Sequence, residues 1–307
     1  MSQQQYIVSL NPSPVSQKPK KRKEHKKSVS KQAVQKQRFE NPGLNFNQIF
    51  SFENLKKSYA IENERRPAPG VDRQTAYHFG QRLHENIDKL LHEIHHQHYY
   101  PQPLFKIKTN KRKKPIYITA FRDRLVQRTL VRNLSPKWER IFSNSSYAFR
   151  SGISHQQAQK SVLQLCQTNP FIAIIDIKRF FETICHERLH DKLIKNLHCQ
   201  KTVQLLMILI KHDNNPNKGL IRGAIISPLL SNFYMNDFDW QLSRSGRLVR
   251  YCDDMAILAK NKNHLKEQIK LAKMLLKQEN LKLNWWKKQV SRYDKGFKFL
   301  GTYFKKV

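Results

Sequence analysis

"RLVRYCDDMAILAK", residues 247–260, decides how the second half of this chain is read. Apolar runs of strand length flank Asp253 and Asp254, so the stretch reads as a tight strand-turn-strand. In a regular strand the two side chains would point to opposite faces, whereas at a hairpin turn both can lean toward one locus. Adjacent carboxylates repel unless a cation lies between them. Divalent magnesium suits that place, because it prefers oxygen ligands, takes few from protein and fills its other positions with water and phosphate oxygens. The plain alternative is turn chemistry, in which an Asp-Asp pair does nothing more than shape a surface hairpin.

Upstream, "FIAIIDI" at 171–177 is a short β-branched apolar run that suits a strand buried on both faces, and Asp176 stands at its carboxyl end. Asp176 reads either as a helix N-cap or as a third carboxylate. Three such groups could hold two metals about 3.5–4 Å apart, one activating an attacking hydroxyl and one stabilising a leaving pyrophosphate. The reaction implied is nucleotidyl transfer. Helices are expected over 187–197 and 203–210, after Pro228 within "GLIRGAIISPLLSNFYMNDFDWQL", and from about 264 to 280, followed by short strands "LKLNWW" and "FKFLGTYF". Strand, helices, two strands, helix, strand is a split β-α-β order, which places the chain in the α+β class.

The first half is helical and strongly basic. Residues 1–40 carry "KPKKRKEHKK" with few large apolar residues and read as a disordered arm, either a phosphate binder or a solvated tail. From Phe46 to about Leu91 the pattern is helical, broken by "RRPAPGVD" at 65–72. "LFKIKTNKRKKPIYITA" reads as a hairpin with its turn at Asn110–Lys114, and "RDRLVQRTLVRNL" as a helix. The whole chain has 57 Lys and Arg against 23 Asp and Glu, a formal net charge of +34, so nucleic acid is the first partner to expect. A composition that is 39% hydrophobic supports a sizeable core. No signal peptide, lipidation motif or apolar run near 18 residues is found, so no membrane partner and a cytoplasmic location are expected. Four cysteines without C-x-x-C spacing argue against a disulfide framework or a cysteine zinc site. "HEIHH" at 92–96 has zinc-peptidase spacing but no downstream third ligand, and a polar helical face accounts for it better.

Eight stretches occur in the order and spacing of one family: "RPAPGVD", "YYPQPLFKI", "KKPIYITAFRDRLVQRTL", "SSYAFRSGISHQQA", "FIAIIDIKRFFETI", "RGAIISPLLSN", "YCDDMAIL" and "KFLGTYF". Over roughly 65–304 the chain resembles bacterial group II intron-type reverse transcriptases. The resemblance implies a polymerase right-hand fold, with helical fingers at 41–170 and a ferredoxin-like split β-α-β palm at 171–307 after the basic arm. It implies an RNA-directed DNA polymerase with two Mg2+ ions, Mn2+ being a substitute, held by Asp176, Asp253, Asp254 and Ile177. An RNA template, a DNA or RNA primer and deoxynucleoside triphosphates are the partners implied. Phe181 matches the aromatic beneath the nucleotide sugar that excludes a ribose 2′-hydroxyl. Lys114, Arg122 and Arg124 match cations gripping the incoming triphosphate, Arg222 and Gly223 the loop contacting nucleotide and template base, and Lys287 a lysine that protonates pyrophosphate. Phe299, Leu300 and Gly301 match the primer-grip turn, where glycine either lets backbones approach closely or simply ends a strand.

The match has departures. Arg222 replaces the family's usual Gln, so a group that donates and accepts gives way to a charged donor. Cys252 replaces a small or β-branched residue, and Glu182 stands where Asp is commoner. The sequence stops at Val307, soon after the primer-grip match, so the helical thumb and the maturase domain are expected to be missing, and processivity to suffer unless a partner, a second subunit or the basic arm takes over the clamp. A free-standing, defence-associated or CRISPR-associated enzyme and an intron remnant all fit. Two alternatives stand beside synthesis on RNA: an RNA-binding protein with a degenerate polymerase fold, and a template-independent polymerase.

Overall fold

A computed structural model of the chain describes residues 45–107, 115–211, 216–284, 286 and 288–306. The basic arm at 1–40, the hairpin turn with Lys114, and Lys287 lie outside the described residues.

Helices α1 (Phe46–Ile49), α2 (Phe52–Arg65), α3 (Ala76–Gly80) and α4 (Leu83–His95) come first. Ser51 and Thr75 cap the second and third by accepting from the N–H groups of Asn54 and His78, and the Pro67–Gly70 stretch separates them as expected. Strands β1 (Phe105–Ile107) and β2 (Ile116–Ile118) pair antiparallel, giving the expected hairpin. Helix α5 (Phe121–Glu139) runs one turn further than its apolar spacing predicts, through Pro136, because Trp138 is buried and its indole N–H donates to Asn196 Oδ1 at 2.8 Å. Helix α6 (His155–Cys166) is one that apolar spacing did not announce; a capping box between Ser154 and Gln157 starts it.

One buried group on α5 gives the fold a pH dependence. Asp123 accepts from the Tyr99 hydroxyl at 2.6 Å and from the Gln102 N–H at 2.8 Å, tying the segment after α4 to α5. Burial outweighs these bonds and the nearby Arg122 charge, and raises its pKa from 3.8 to about 6. The folded state therefore binds the proton more tightly than the unfolded chain does. The stability this proton contributes is fully present below about pH 4 and is lost as pH rises through about 6, by roughly 3 kcal/mol. Urea unfolding between pH 4 and 7 is expected to show that fall in the natural protein and a flatter difference curve in Asp123→Asn.

The second half builds around one antiparallel sheet. Strand β3 (Phe171–Asp176) is followed by helices α7 (Phe180–Thr183), α8 (His186–Leu197), α9 (Gln200–Ile210) and α10 (Ser227–Ser245), the hairpin β4 (Arg247–Tyr251) and β5 (Asp254–Ala259), helix α11 (Lys262–Gln278) and strand β6 (Gln289–Arg292). The sheet order is β4-β5-β3-β6, all neighbours antiparallel, which is the split β-α-β arrangement expected. Side chains alternate between two cores. Ala173, Ile175, Met255, Ile257 and Ala259 join the larger cluster with α10 and α11, whereas Ile172, Ala256 and Leu258 join a smaller cluster with α6, Tyr293 and Phe297.

Two expectations for the end of the chain need correction. Residues 281–284 of "LKLNWW" form no ladder strand: Leu283 makes one bridge to Ile177, just past β3, with Lys178 N–H donating to Lys282 O and Asn284 N–H to Asp176 O. The edge beside residues 171–174 is taken by β6 instead. "FKFLGTYF" is two strands, β7 (Phe297–Phe299) and β8 (Thr302–Phe304), because Leu300 and Gly301 turn the chain at positive φ. A Cβ on Gly301 would meet nothing within 4 Å, while its φ is +83°, so left-handed backbone and not close approach accounts for the glycine.

Candidate active site

Register brings the carboxylates together. Asp176 ends β3, Asp254 begins β5, and the two residues are directly opposite one another. The next pair is hydrogen-bonded, Ile177 N–H donating to Asp253 O at 3.1 Å. Asp176 and Asp254 therefore occupy a non-hydrogen-bonded pair, where facing Cα atoms approach to about 4.5 Å and side chains share one face. That is the face of Ile172 and Ile174, opposite α11. The Asp176 carboxylate is almost fully buried and accepts from Asn284 Nδ2 at 2.9 Å.

Asp253 belongs to the loop between them. Tyr251 pairs with Asp254, leaving a two-residue turn of Cys252 and Asp253, and Cys252 carries φ +60° at the position where such turns favour Gly. A buried arginine holds that strained residue: Arg250 donates from Nη1 to Cys252 O at 3.1 Å. Its other donors reach Asp239 Oδ1 and Oδ2, each at 2.6 Å, and Ser146 Oγ at 2.7 Å. Burial pushes the Cys252 thiol and the Asp239 carboxyl upward in pKa, the latter opposed by Arg250. Among the described residues no three His, Cys, Asp or Glu side chains stand close enough together to hold a metal. The structure thus brings two of the expected carboxylates face to face and places the third in the adjoining turn, with Ile177 hydrogen-bonded to that turn.

Phe181 and the Arg222–Gly223 loop also come together. Leu220 N–H donates to Phe181 O at 2.6 Å, Gly219 N–H to Ile184 O at 2.7 Å, and Arg222 Nη2 lies 3.6 Å from Glu182 Oε1. The loop meets the β1–β2 hairpin where Tyr117 N–H donates to Arg222 O; a Cβ on Gly223 would sit 2.2 Å from Tyr117 O. Only glycine fits there. Phe149 packs edge-on to Phe181, ring centroids 6.3 Å apart, from a backbone at φ +59°. Sequence reasoning missed Phe149, Asn284 and the Arg250–Asp239 pair; an arginine inside the apolar run "LVRY" was the one available signal.

The remaining expected residues stand elsewhere. Arg122 is ion-paired to Glu93 and Arg124 to Glu62 at 3.0 Å, so an incoming anion would compete with carboxylates already in place. Phe299, Leu300 and Gly301 form the β7–β8 turn, whose Leu300 O accepts from Gln159 on α6 at 3.0 Å. Cys166, Cys185, Cys199 and Cys252 are free. No helix of the described residues is long and apolar enough to cross a membrane.

Known proteins resemble the chain over much of its length. Protein YkfC of Escherichia coli is 27% identical over 284 residues, 76% of this chain and 74% of YkfC. The group II intron-encoded protein LtrA of Lactococcus lactis subsp. cremoris is 28% identical over 188 residues, 58% of this chain and 31% of LtrA, so the chain matches under a third of that relative's length. A chain of a partial Cas6-RT-Cas1–Cas2 complex aligns with a TM-score of 0.46 at 20% identity, covering 75% of this chain and 42% of that one. The profile of the reverse transcriptase (RNA-dependent DNA polymerase) family matches residues 106–304, most of the chain, and the protein belongs to that family.

Proposed function

We propose that the chain extends a primer by RNA-directed DNA synthesis, transferring nucleotides from deoxynucleoside triphosphates to a 3′-hydroxyl. The observation that carries this reading is the face-to-face register of Asp176 and Asp254, with Asp253 in the turn between the strands. Like charges directly opposite in a sheet destabilise it, so the pair favours a cation between them. The donors this reading needs, three carboxylates and the Ile177 carbonyl, are all oxygen, which a hard divalent ion prefers, and the three carboxylates would have to draw closer together to hold it. Two Mg2+ ions there would lower the pKa of the attacking hydroxyl and offset charge on the leaving pyrophosphate.

The chain's own residues do the rest. In this reading residues 41–170 act as fingers and 171–307 as palm. Phe181, braced by Phe149, lies beneath the sugar and excludes a 2′-hydroxyl. Lys114, Arg122 and Arg124 offer positive charge to the triphosphate, and Lys287 donates a proton to pyrophosphate. Phe299, Leu300 and Gly301 seat the primer, and Arg222 and Gly223 line the nucleotide. RNA template, primer and deoxynucleotides are its partners, with a protein partner or second subunit beside them, in the cytoplasm.

The test is primer extension on an RNA template with and without Mg2+. Phe181→Val is expected to raise incorporation of ribonucleotides relative to deoxynucleotides by about ten- to a hundred-fold, since one removed clash of this kind is worth roughly 1–3 kcal/mol; competition assays measure the ratio. A second reading, RNA binding without synthesis, is favoured by Arg222, whose Glu182 partner occupies it where the family carries Gln. Absence of any extension product with intact RNA binding would select it.

A further inference from the structure

Helix α11 carries a feature that the proposed catalytic residues do not use. Lys262, Lys266, Lys270, Lys273 and Lys277 recur at spacings of 4, 4, 3 and 4 along its 17 residues, and all five are exposed. At about 100° per residue they fall within a sector roughly 80° wide and extend over about 22 Å of helix axis. The residues buried against the palm core, Leu265, Gln268, Ala272, Leu275 and Leu276, occupy a different sector. Glu267 is the one acidic residue in the helix, and it falls outside the lysine sector.

The helix lies on the sheet face opposite the carboxylates. Its apolar residues join the cluster of Ala173, Ile175, Met255 and Ile257, whereas Asp176 and Asp254 share the face of Ile172, Ala256 and Leu258. A sheet and a helix about 10 Å across therefore stand between the lysines and the proposed catalytic site. A primer-template seated on one face cannot contact the other without bending around the domain.

We propose that this lysine row is a second nucleic-acid surface, one that binds the phosphate backbone of a duplex separate from the primer-template. About 22 Å of aligned ammonium groups runs past roughly six phosphates of one strand, each taking 3.4 Å of duplex axis. Lysine supplies point charge without a planar fork, which suits backbone attraction that ignores sequence. An anionic membrane fits less well. A helix lying on a bilayer needs its apolar face exposed, and here that face is sealed into the palm, with Met274 the one large apolar side chain left exposed.

The experiment compares the full chain with a variant carrying Lys262→Gln, Lys266→Gln, Lys270→Gln, Lys273→Gln and Lys277→Gln. The probes are a blunt 30-base-pair RNA duplex, a DNA duplex of the same sequence, and phosphatidylserine vesicles. Counterion release predicts that the slope of log K against log salt falls by about four for the duplexes. Bound duplex is also expected to protect these lysines from acetylation, read by mass spectrometry, while extension of a short primer on RNA changes less than about two-fold. The two duplex arms show whether RNA is preferred. An unchanged slope, unprotected lysines, loss of vesicle binding alone, or a parallel loss of short-primer extension each overturns the proposal. Binding is the readout, so failure of the polymerase reading would leave this result interpretable.

Discussion

Asp253→Asn is expected to abolish primer extension, lowering its rate at least about a thousand-fold, while RNA binding and thermal stability stay close to those of the natural protein. The substitution keeps shape and removes charge. The backbone bond from Ile177 N–H to Asp253 O is untouched, and so is the grip of Arg250 on Cys252 O, so the turn keeps its path. What is lost is one anionic oxygen ligand, and charge neutralisation by bound cations contributes several kcal/mol to such reactions. Binding hardly changes, because one added positive charge is small against a formal +34. The measurements are single-nucleotide incorporation over a Mg2+ series, a binding isotherm on the same RNA, and a melting curve. Extension by Asp253→Asn at the natural rate would remove the carboxylates from the chemistry, and collapse of the melting temperature would show that the side chain is structural.

The sheet and its carboxylates were legible because both rest on local patterns. Apolar runs of strand length on either side of "CDD" need a hairpin, and the β-branched run before Asp176 needs a strand buried on both faces; antiparallel pairing then brings the two acidic ends together. Elements fixed by tertiary contacts were not legible. "LKLNWW" has strand propensity, yet the edge of β3 is taken by "QVSR", a segment with one apolar residue. Helix α6 hides behind Gln and Ser, and its start is visible only through the Ser154–Gln157 box. Around the candidate site, Phe181 and Arg222 were singled out through resemblance, while Phe149 beside Phe181 escaped because a left-handed backbone leaves no mark in composition. The ion pairs of Arg122 and Arg124 join residues 29 and 62 positions apart, and such pairings follow from packing alone.

Arg250→Met is expected to destabilise the domain by about 3–5 kcal/mol, because it strands the buried Asp239 carboxylate without its bidentate partner. At roughly 2–4 °C per kcal/mol for a domain of this size, the melting temperature falls by about 10 °C. The double variant Arg250→Met/Asp239→Leu is expected to recover most of that loss, since a buried ion pair exchanged for apolar groups of similar volume is often neutral. Recovery of stability and recovery of synthesis then part company. Arg250 Nη1 also holds Cys252 O, and Cys252 is the strained residue of the turn that carries Asp253. Without that bond the turn relaxes toward negative φ, and the carboxylates lose their alignment even in a well-folded protein. The double variant is therefore expected to melt near the natural temperature while extending primers more slowly and needing more Mg2+ for half-maximal rate, with excess Mg2+ restoring part of the activity. A purely structural pair would leave the Mg2+ requirement where it was once stability returned, so the metal titration separates the two roles of the same side chain.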